Sequence, residues 1–251
     1  MPIKFLVLGS YLGMVVVNVL ANALPINNLS TGAISDLYPN LFTPAGLTFS
    51  IWGLIYLLLG LYVIYQFGFF QKDKSQDRQD LLKKLSVYFI ATSVANAAWI
   101  FAWHYMMPGL SLAIMIALLA CLIKIADLLK GRNFSRQEKF FIRLPFAIYF
   151  GWITVATIAN VTVFLVSLGW DGFGVAPSVW TVMILLVGAV IGIARMTKDR
   201  SIAYGLVFVW AYAGILIKGS VAELALKRNF QISREPNEKR GGILGLKYAD
   251  D

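Results

Sequence analysis

The side chains in this chain that could do chemistry are aromatic rings and amides rather than acids and bases. Trp52 and Tyr56 stand four apart, with Phe49 three before, Gly60 four after, and Pro44 opening the same segment. Asn96, Trp99, Trp103 and His104 follow an i, i+3, i+7, i+8 spacing, and Trp152 and Asn160 stand eight apart. Such intervals place residues on one face of a helix. A face of this kind offers π surfaces for stacking and a few amides for orienting hydrogen bonds. It offers no nucleophile paired with a base. His104 is the only histidine and Cys121 the only cysteine. A disulfide within the chain, a cysteine-based metal site, a multi-histidine metal centre and bis-histidine haem ligation are therefore excluded.

The elements that must carry these faces follow from composition. Of 251 residues, 59% are apolar and only 14% charged, and the mean hydropathy is +0.71. A soluble domain needs more charge than this to cover its surface. The fold class is all-α, a polytopic transmembrane helical bundle. Seven apolar runs are long enough to span a bilayer: 3–24, 45–70, 85–106, 110–129, 144–168, 177–196 and 201–221. The first is too long for a signal-peptide core and is read as retained. Residues 1–168 form a five-helix core, 169–222 add two spans, and 223–251 form a polar, partly unstructured tail.

Asn18 and Asn22 lie four apart near the end of the first span. An amide in hydrocarbon is costly unless hydrogen-bonded, so both are expected to face the bundle. Residues 25–43 are rich in proline, asparagine and turn residues, carry Asp36 as their only charge, and are too apolar for a free linker. They read as a folded lid. Residues 72–84 and 130–143 are charged and read as solvated loops. Lys124 and Asp127 read as a local pair at helical spacing. Gly188 and Gly192 form a small-xxx-small pair for close helix packing, within the chain or in a homodimer.

The net charge of +9 does not lie along one face and is no nucleic-acid signature. It sorts by loop instead. The segments on one side of the membrane hold fourteen lysines and arginines, and the three connections on the other hold none. That asymmetry places the N-terminus in the cytoplasm and the lid outside. The membrane is read as a bacterial cytoplasmic membrane. The basic tail conflicts with this topology, since seven spans put it outside.

In that orientation the aromatic and amide faces converge beneath the lid. An apolar cavity with a few amides and no charge suits a flat, hydrophobic, weakly polar ligand. Trp103 and Trp170 are explained equally well as an interfacial belt, whereas Trp52, Trp99 and Trp152 lie deeper. No covalent cofactor is implied, and membrane lipid is the surrounding partner. His104 reads as a hydrogen-bonding or interfacial residue near the surface rather than a catalyst. Two alternatives are a transporter of small hydrophobic solutes and a retinal-binding seven-helix protein. Lys218 invites the second, but it lies near the end of its span without a carboxylate within a turn before it, and reads as a snorkelling lysine. An ion-coupled transporter would need buried carboxylates in the span cores, which hold none.

Three elements resemble the TspO/MBR family of translocator and tryptophan-rich sensory proteins. Pro44, Trp52, Tyr56 and Gly60 are similar to its second-helix signature. Asn96 and Trp99 resemble its third-helix Asn-x-x-Trp element, and Trp152 with Asn160 its fifth-helix element. Order and spacing also agree over residues 3–168. Ala45-Gly46 stands where the family has a second proline and an aromatic, Ile100-Phe101 replaces prolines after the third-helix Trp, and Pro145 is displaced from its usual place. The chain is thus identified as a longer, seven-span branch. The resemblance implies a five-helix core that binds a porphyrin or haem-like ligand, without catalysis, under the loop after the first helix. Its binding residues would be Pro44, Phe49, Trp52, Tyr56, Asn96, Trp99, Trp152 and Asn160. It also allows a homodimer and, at the margin, degradation of a bound pigment.

Overall fold

The computed structural model of the chain describes residues 2–24 and 26–234 and contains no strand among them. Seven helices are long and apolar enough to cross a membrane. They are α1 (Pro2–Ala23), α3 (Ile51–Gln66), α4 (Gln76–His104), α5 (Pro108–Leu129), α7 (Leu144–Ser167), α8 (Pro177–Asp199) and α9 (Ile202–Arg234). Two short helices complete the set: α2 (Thr31–Asp36) in the lid and α6 (Arg136–Glu138) leading into α7. Helices α3, α1, α4, α5 and α7 contact one another in that order and close into a ring, α9 packs on α7, and α8 packs on α9. Lipid tails are as apolar as leucine, so close packing and interhelical hydrogen bonds hold such a ring, rather than hydrophobic burial.

Both charged loops are shorter than their composition suggests. The hydroxyl of Ser75 accepts from Arg78 N at 3.4 Å and Asp77 lies in the first turn, so α4 starts at Gln76. Residues 76–84 extend the helix beyond its apolar part instead of forming a loop. Arg78 is buried, 2.9 Å from the Glu138 carboxylate and with its guanidinium 4.7 Å from the centre of the Phe134 ring. Glu138 completes a capping box with Ser135, which starts α6 inside the second expected loop. A π-turn over Lys139–Arg143 joins α6 to α7. It lies just ahead of Pro145, whose ring would clash with the Phe141 carbonyl in a straight α-helix.

Asp127 does not pair with Lys124. Arg195 of α8 takes it at 2.9 Å and also holds Asp199 at 2.6 Å. The planar guanidinium can serve two carboxylates at once, which a single lysine one turn away does less well. Gly188 and Gly192 are buried against the rings of Tyr212 and Phe208, so this pair packs α8 on α9 within the chain. Helix α9 runs on to Arg234, beyond the apolar stretch that ends at 221, which corrects the tail reading for 223–234. The rest of the tail, 235–251, and Pro25 lie outside the described residues.

The lid is folded. Asn27 and Asn28 adopt left-handed φ angles of 58° and 62°, a conformation asparagine tolerates better than most residues. Ser30 caps α2 by accepting from Ala33 N at 3.2 Å. The Asn40 carbonyl accepts from the backbone N–H groups of Phe42 and Thr43 at 3.0 and 2.9 Å and fixes the turn into α3.

Candidate functional site

Trp52 is the hub of the aromatic cluster. It stacks on Tyr56 at 5.5 Å, lies tilted to Trp99 at 6.2 Å, and meets Trp152 and Tyr149 edge-on at 6.1 Å each. Trp99 stacks on Trp103 at 5.6 Å, and Phe49 meets Trp152 edge-on at 6.0 Å. Offset and edge-to-face pairs at these separations are the favourable ones for aromatic quadrupoles. Sequence spacing found Trp52, Trp99 and Trp152. It missed Tyr149, which sits in an apolar run where nothing marks one aromatic from its neighbours, and Phe42, which lies in the lid outside any helical face.

Two amides tie the ring of helices together under this cluster. Asn96 accepts from Asn18 Nδ2 at 2.7 Å and donates to the Tyr149 hydroxyl at 3.3 Å, linking α1, α4 and α7. The Asn160 carbonyl accepts from Trp99 Nε1 at 3.3 Å and from Ser111 Oγ at 2.7 Å, linking α7, α4 and α5. Its own amide donates to Ala156 O at 2.9 Å. Asn18 is buried as expected, while Asn22 is exposed at the edge of a cleft and bonds to the Asn18 carbonyl.

The cluster borders two spaces. Pro44, Phe49, Trp52, Trp99, Trp152 and Asn160 line a narrow cavity of about 40 Å³, together with Phe42 and Trp103. Phe49, Trp52 and Tyr56 line a cleft of about 890 Å³ between α1 and α3, roofed by the lid from Ser30 to Ala33 and by Asp36. Asn96 lines neither space. The cleft closes where Tyr11 donates to Tyr56 O at 3.0 Å, its hydroxyl lying against Gly60. Phe49 and Trp52 are thus the wall between cavity and cleft. Two buried polar atoms of the cluster make no hydrogen bond among the described residues, the Tyr56 hydroxyl and Trp152 Nε1. A buried donor left unpaired costs about 1–3 kcal/mol, which a ligand oxygen or a water would recover. Among the described residues, no group of three or more His, Cys, Asp or Glu could hold a metal ion.

Trp103 and His104, at the end of α4, are buried and hydrogen-bonded to the lid. Trp103 is buried and its Nε1 donates to Thr31 O at 3.0 Å. His104 is fully buried, with Nδ1 3.0 Å from Ile26 O and Nε2 3.2 Å from Thr31 Oγ1. A carbonyl only accepts, so Nδ1 carries the proton and Nε2 accepts from the threonine. Asn27 Nδ2 donates to His104 O at 3.2 Å. The end of α4 is the anchor of the lid. On the other side, Lys218 of α9 pairs with Asp36 at 2.5 Å. That pairing leaves it a half-exposed lid contact rather than a buried Schiff-base lysine, and it argues against the retinal alternative.

Helix α9 also supports the turn that carries Phe49. Trp210 Nε1 donates to Thr48 O at 2.9 Å, and Ala45 N donates to Gly214 O at 3.0 Å. Thr48 packs so closely on Gly214 that a Cβ there would collide with its side chain. Composition gave no sign that a peripheral helix touches the site.

Comparison with protein-family models yields a match over residues 4–229 to the model described as TSPO-like protein. The match runs through α8 and into α9. Comparisons with curated proteins and with solved structures give no match.

Proposed function

The chain belongs to the TSPO-like protein family, and from that premise we propose that it is a membrane-embedded sensor or carrier of a planar, weakly polar hydrophobic ligand of the porphyrin class. The integral membrane character rests on seven apolar spans. The observation that carries the ligand reading is the wall formed by Phe49 and Trp52, with a narrow aromatic cavity on one side and a large roofed cleft on the other.

Size favours the cleft for such a ligand. A cavity that takes benzene is on the order of 150 Å³, so the narrow space of about 40 Å³ admits no macrocycle. The cleft, at about 890 Å³, falls within the roughly 300–1,000 Å³ of ligand pockets. The ligand would enter between α1 and α3 from the bilayer and stack on Trp52 and Tyr56. The Tyr56 hydroxyl, and Trp152 Nε1 once Trp52 turns, would supply polar contacts. Asn96 and Asn160 would act by holding Tyr149, Trp99 and the helices in place, because their hydrogen bonds are made within the protein. This reading requires no covalent step.

Titration of detergent-purified protein with protoporphyrin IX, followed by tryptophan quenching and pigment absorbance, tests it. Saturable binding near one site per chain is expected. Trp52→Ala should weaken it at least about tenfold, the loss of one aromatic contact at roughly 1.4 kcal/mol. Trp99→Ala and Asn96→Ala should weaken it less, and Cys121→Ser not at all. Non-saturating partition that is indifferent to all four would defeat the proposal.

A further inference from the structure

A second cavity, of about 490 Å³, lies outside the five-helix ring. One wall is the outer half of α7, at Ile158, Val161 and Leu165, and the other is the start of α8, at Trp180 and Ile184. The turn between them closes its mouth. Within that turn Trp170 meets Trp180 edge-on at 4.9 Å. Phe42, from the lid, lines both this cavity and the central aromatic one. The cavity depends on α8, so a five-helix bundle would not contain it.

The occupant follows from which polar groups are free. Asn40 at the rim is spent on the lid turn, Trp180 Nε1 donates to Gly172 O at 2.7 Å, and Thr181 Oγ1 donates to Pro177 O at 2.8 Å. Two groups adjacent in sequence keep capacity. Trp170 Nε1 makes no hydrogen bond among the described residues and is a donor. Asp171 uses Oδ1 to accept from Phe173 N at 2.9 Å, and its Oδ2 is uncommitted. Among the described residues, Asp171 is the only charged one lining the cavity, and no lysine or arginine does.

We infer that this cavity is a binding site for a single phospholipid whose headgroup carries an ammonium. An acyl chain fills the apolar cleft between α7 and α8. The ammonium faces the Asp171 carboxylate and the rings of Trp170 and Trp180, and the Trp170 indole N–H donates to a phosphate or ester oxygen. A neighbouring donor and acceptor match a zwitterion. An anionic headgroup without an amine meets the carboxylate with like charge. The site is independent of the porphyrin reading.

Native mass spectrometry in detergent tests it, with phosphatidylethanolamine and phosphatidylglycerol of identical acyl chains added in turn. One tightly held phosphatidylethanolamine per chain is expected. Asp171→Asn should reduce its preference over phosphatidylglycerol by about fivefold, the most that an exposed ion pair supplies. Val161→Trp and Ile184→Trp, which fill the cleft from opposite walls, should abolish the tightly held copy while thermal unfolding confirms the fold. Two results would overturn the inference. One is retention of phosphatidylethanolamine that ignores both cleft-filling changes. The other is phosphatidylglycerol held equally well with the same dependence on Val161.

Discussion

At the scale of single residues, Asn160 shows why the amides belong to this site although the rings do the stacking. Its carbonyl oxygen takes two donors, the Trp99 indole and the Ser111 hydroxyl, both buried. Asn160→Leu keeps the branched shape and leaves both donors unpaired. An unsatisfied buried donor costs about 1–3 kcal/mol, and membrane interiors fall near the low end because the unfolded helices find other partners. A lower thermal midpoint in detergent is expected. Ser111→Ala should cost less, since it removes one of the two donors. The double change should cost less than the sum, because the hydroxyl that Asn160→Leu orphans is then absent. Strict additivity would mean that the bond to Ser111 is not made. This site was half legible in advance. Intervals of three, four and eight singled out Trp52, Trp99, Trp152 and Asn160, because helical periodicity is local. Tyr149 and Phe42 were not legible, since each takes its role from a distant helix. Trp103 was left open between the cluster and an interfacial belt for the same reason: its partner, the Thr31 carbonyl, lies 72 residues away.

At the scale of elements, the lid has two fastenings of unequal strength. His104 and Trp103 hold its first half from α4 through buried hydrogen bonds, and Lys218 of α9 holds Asp36 through an exposed pair. A buried bond resists competition from water, whereas an exposed ion pair is worth about 0–1 kcal/mol and is screened by salt. His104→Ala should therefore loosen residues 26–36 far more than Lys218→Ala. Hydrogen exchange of that segment is expected to accelerate at least tenfold in the first variant, at about 1 kcal/mol for each of two lost bonds. In the second it should accelerate about fivefold at most, an effect that disappears in high salt. The reverse order would place the main fastening on α9 and make the added helices the control of the lid. The existence of a folded lid was legible in the composition of 25–43. Its anchors were not, because a lone histidine at the end of an apolar run looks the same whether it faces lipid, water or a loop folded over it.

At the scale of the whole molecule, the structure sorts charge to one end of the bundle. Arg78 with Glu138, Arg132 with Asp77, and Arg195 with Asp127 and Asp199 all lie at the end opposite the lid. The first two tie the start of α4 to the segment between α5 and α7, Arg195 ties α8 to Asp127 of α5, and Arg143 reaches the Asp199 carbonyl at 2.6 Å to bind the ring to α8. Seven spans could be counted from hydropathy. The mutual arrangement could not, because a lipid-facing leucine and a helix-facing one are chemically the same. The charge sorting supports an orientation with the lid outside, which is a proposal about insertion rather than about fold. In a Cys121→Ser background, Leu41→Cys places a thiol on the lid, where Leu41 is 55% exposed. Gln76→Cys places one at the start of α4, at the charged end. A membrane-impermeant maleimide added to intact cells should label the first and spare the second, with both labelled once the cells are lysed. Labelling of Gln76→Cys alone would invert the topology. The lid, the cleft and the α7–α8 cavity would then face the cytoplasm, and the ligand would reach the cleft from the inner leaflet. The basic residues near the end of α9 weigh toward that second outcome, because they follow the span that ends at the lid. The fourteen basic residues at the opposite end outnumber them, and short loops between spans orient a bundle more strongly than charges after its last span.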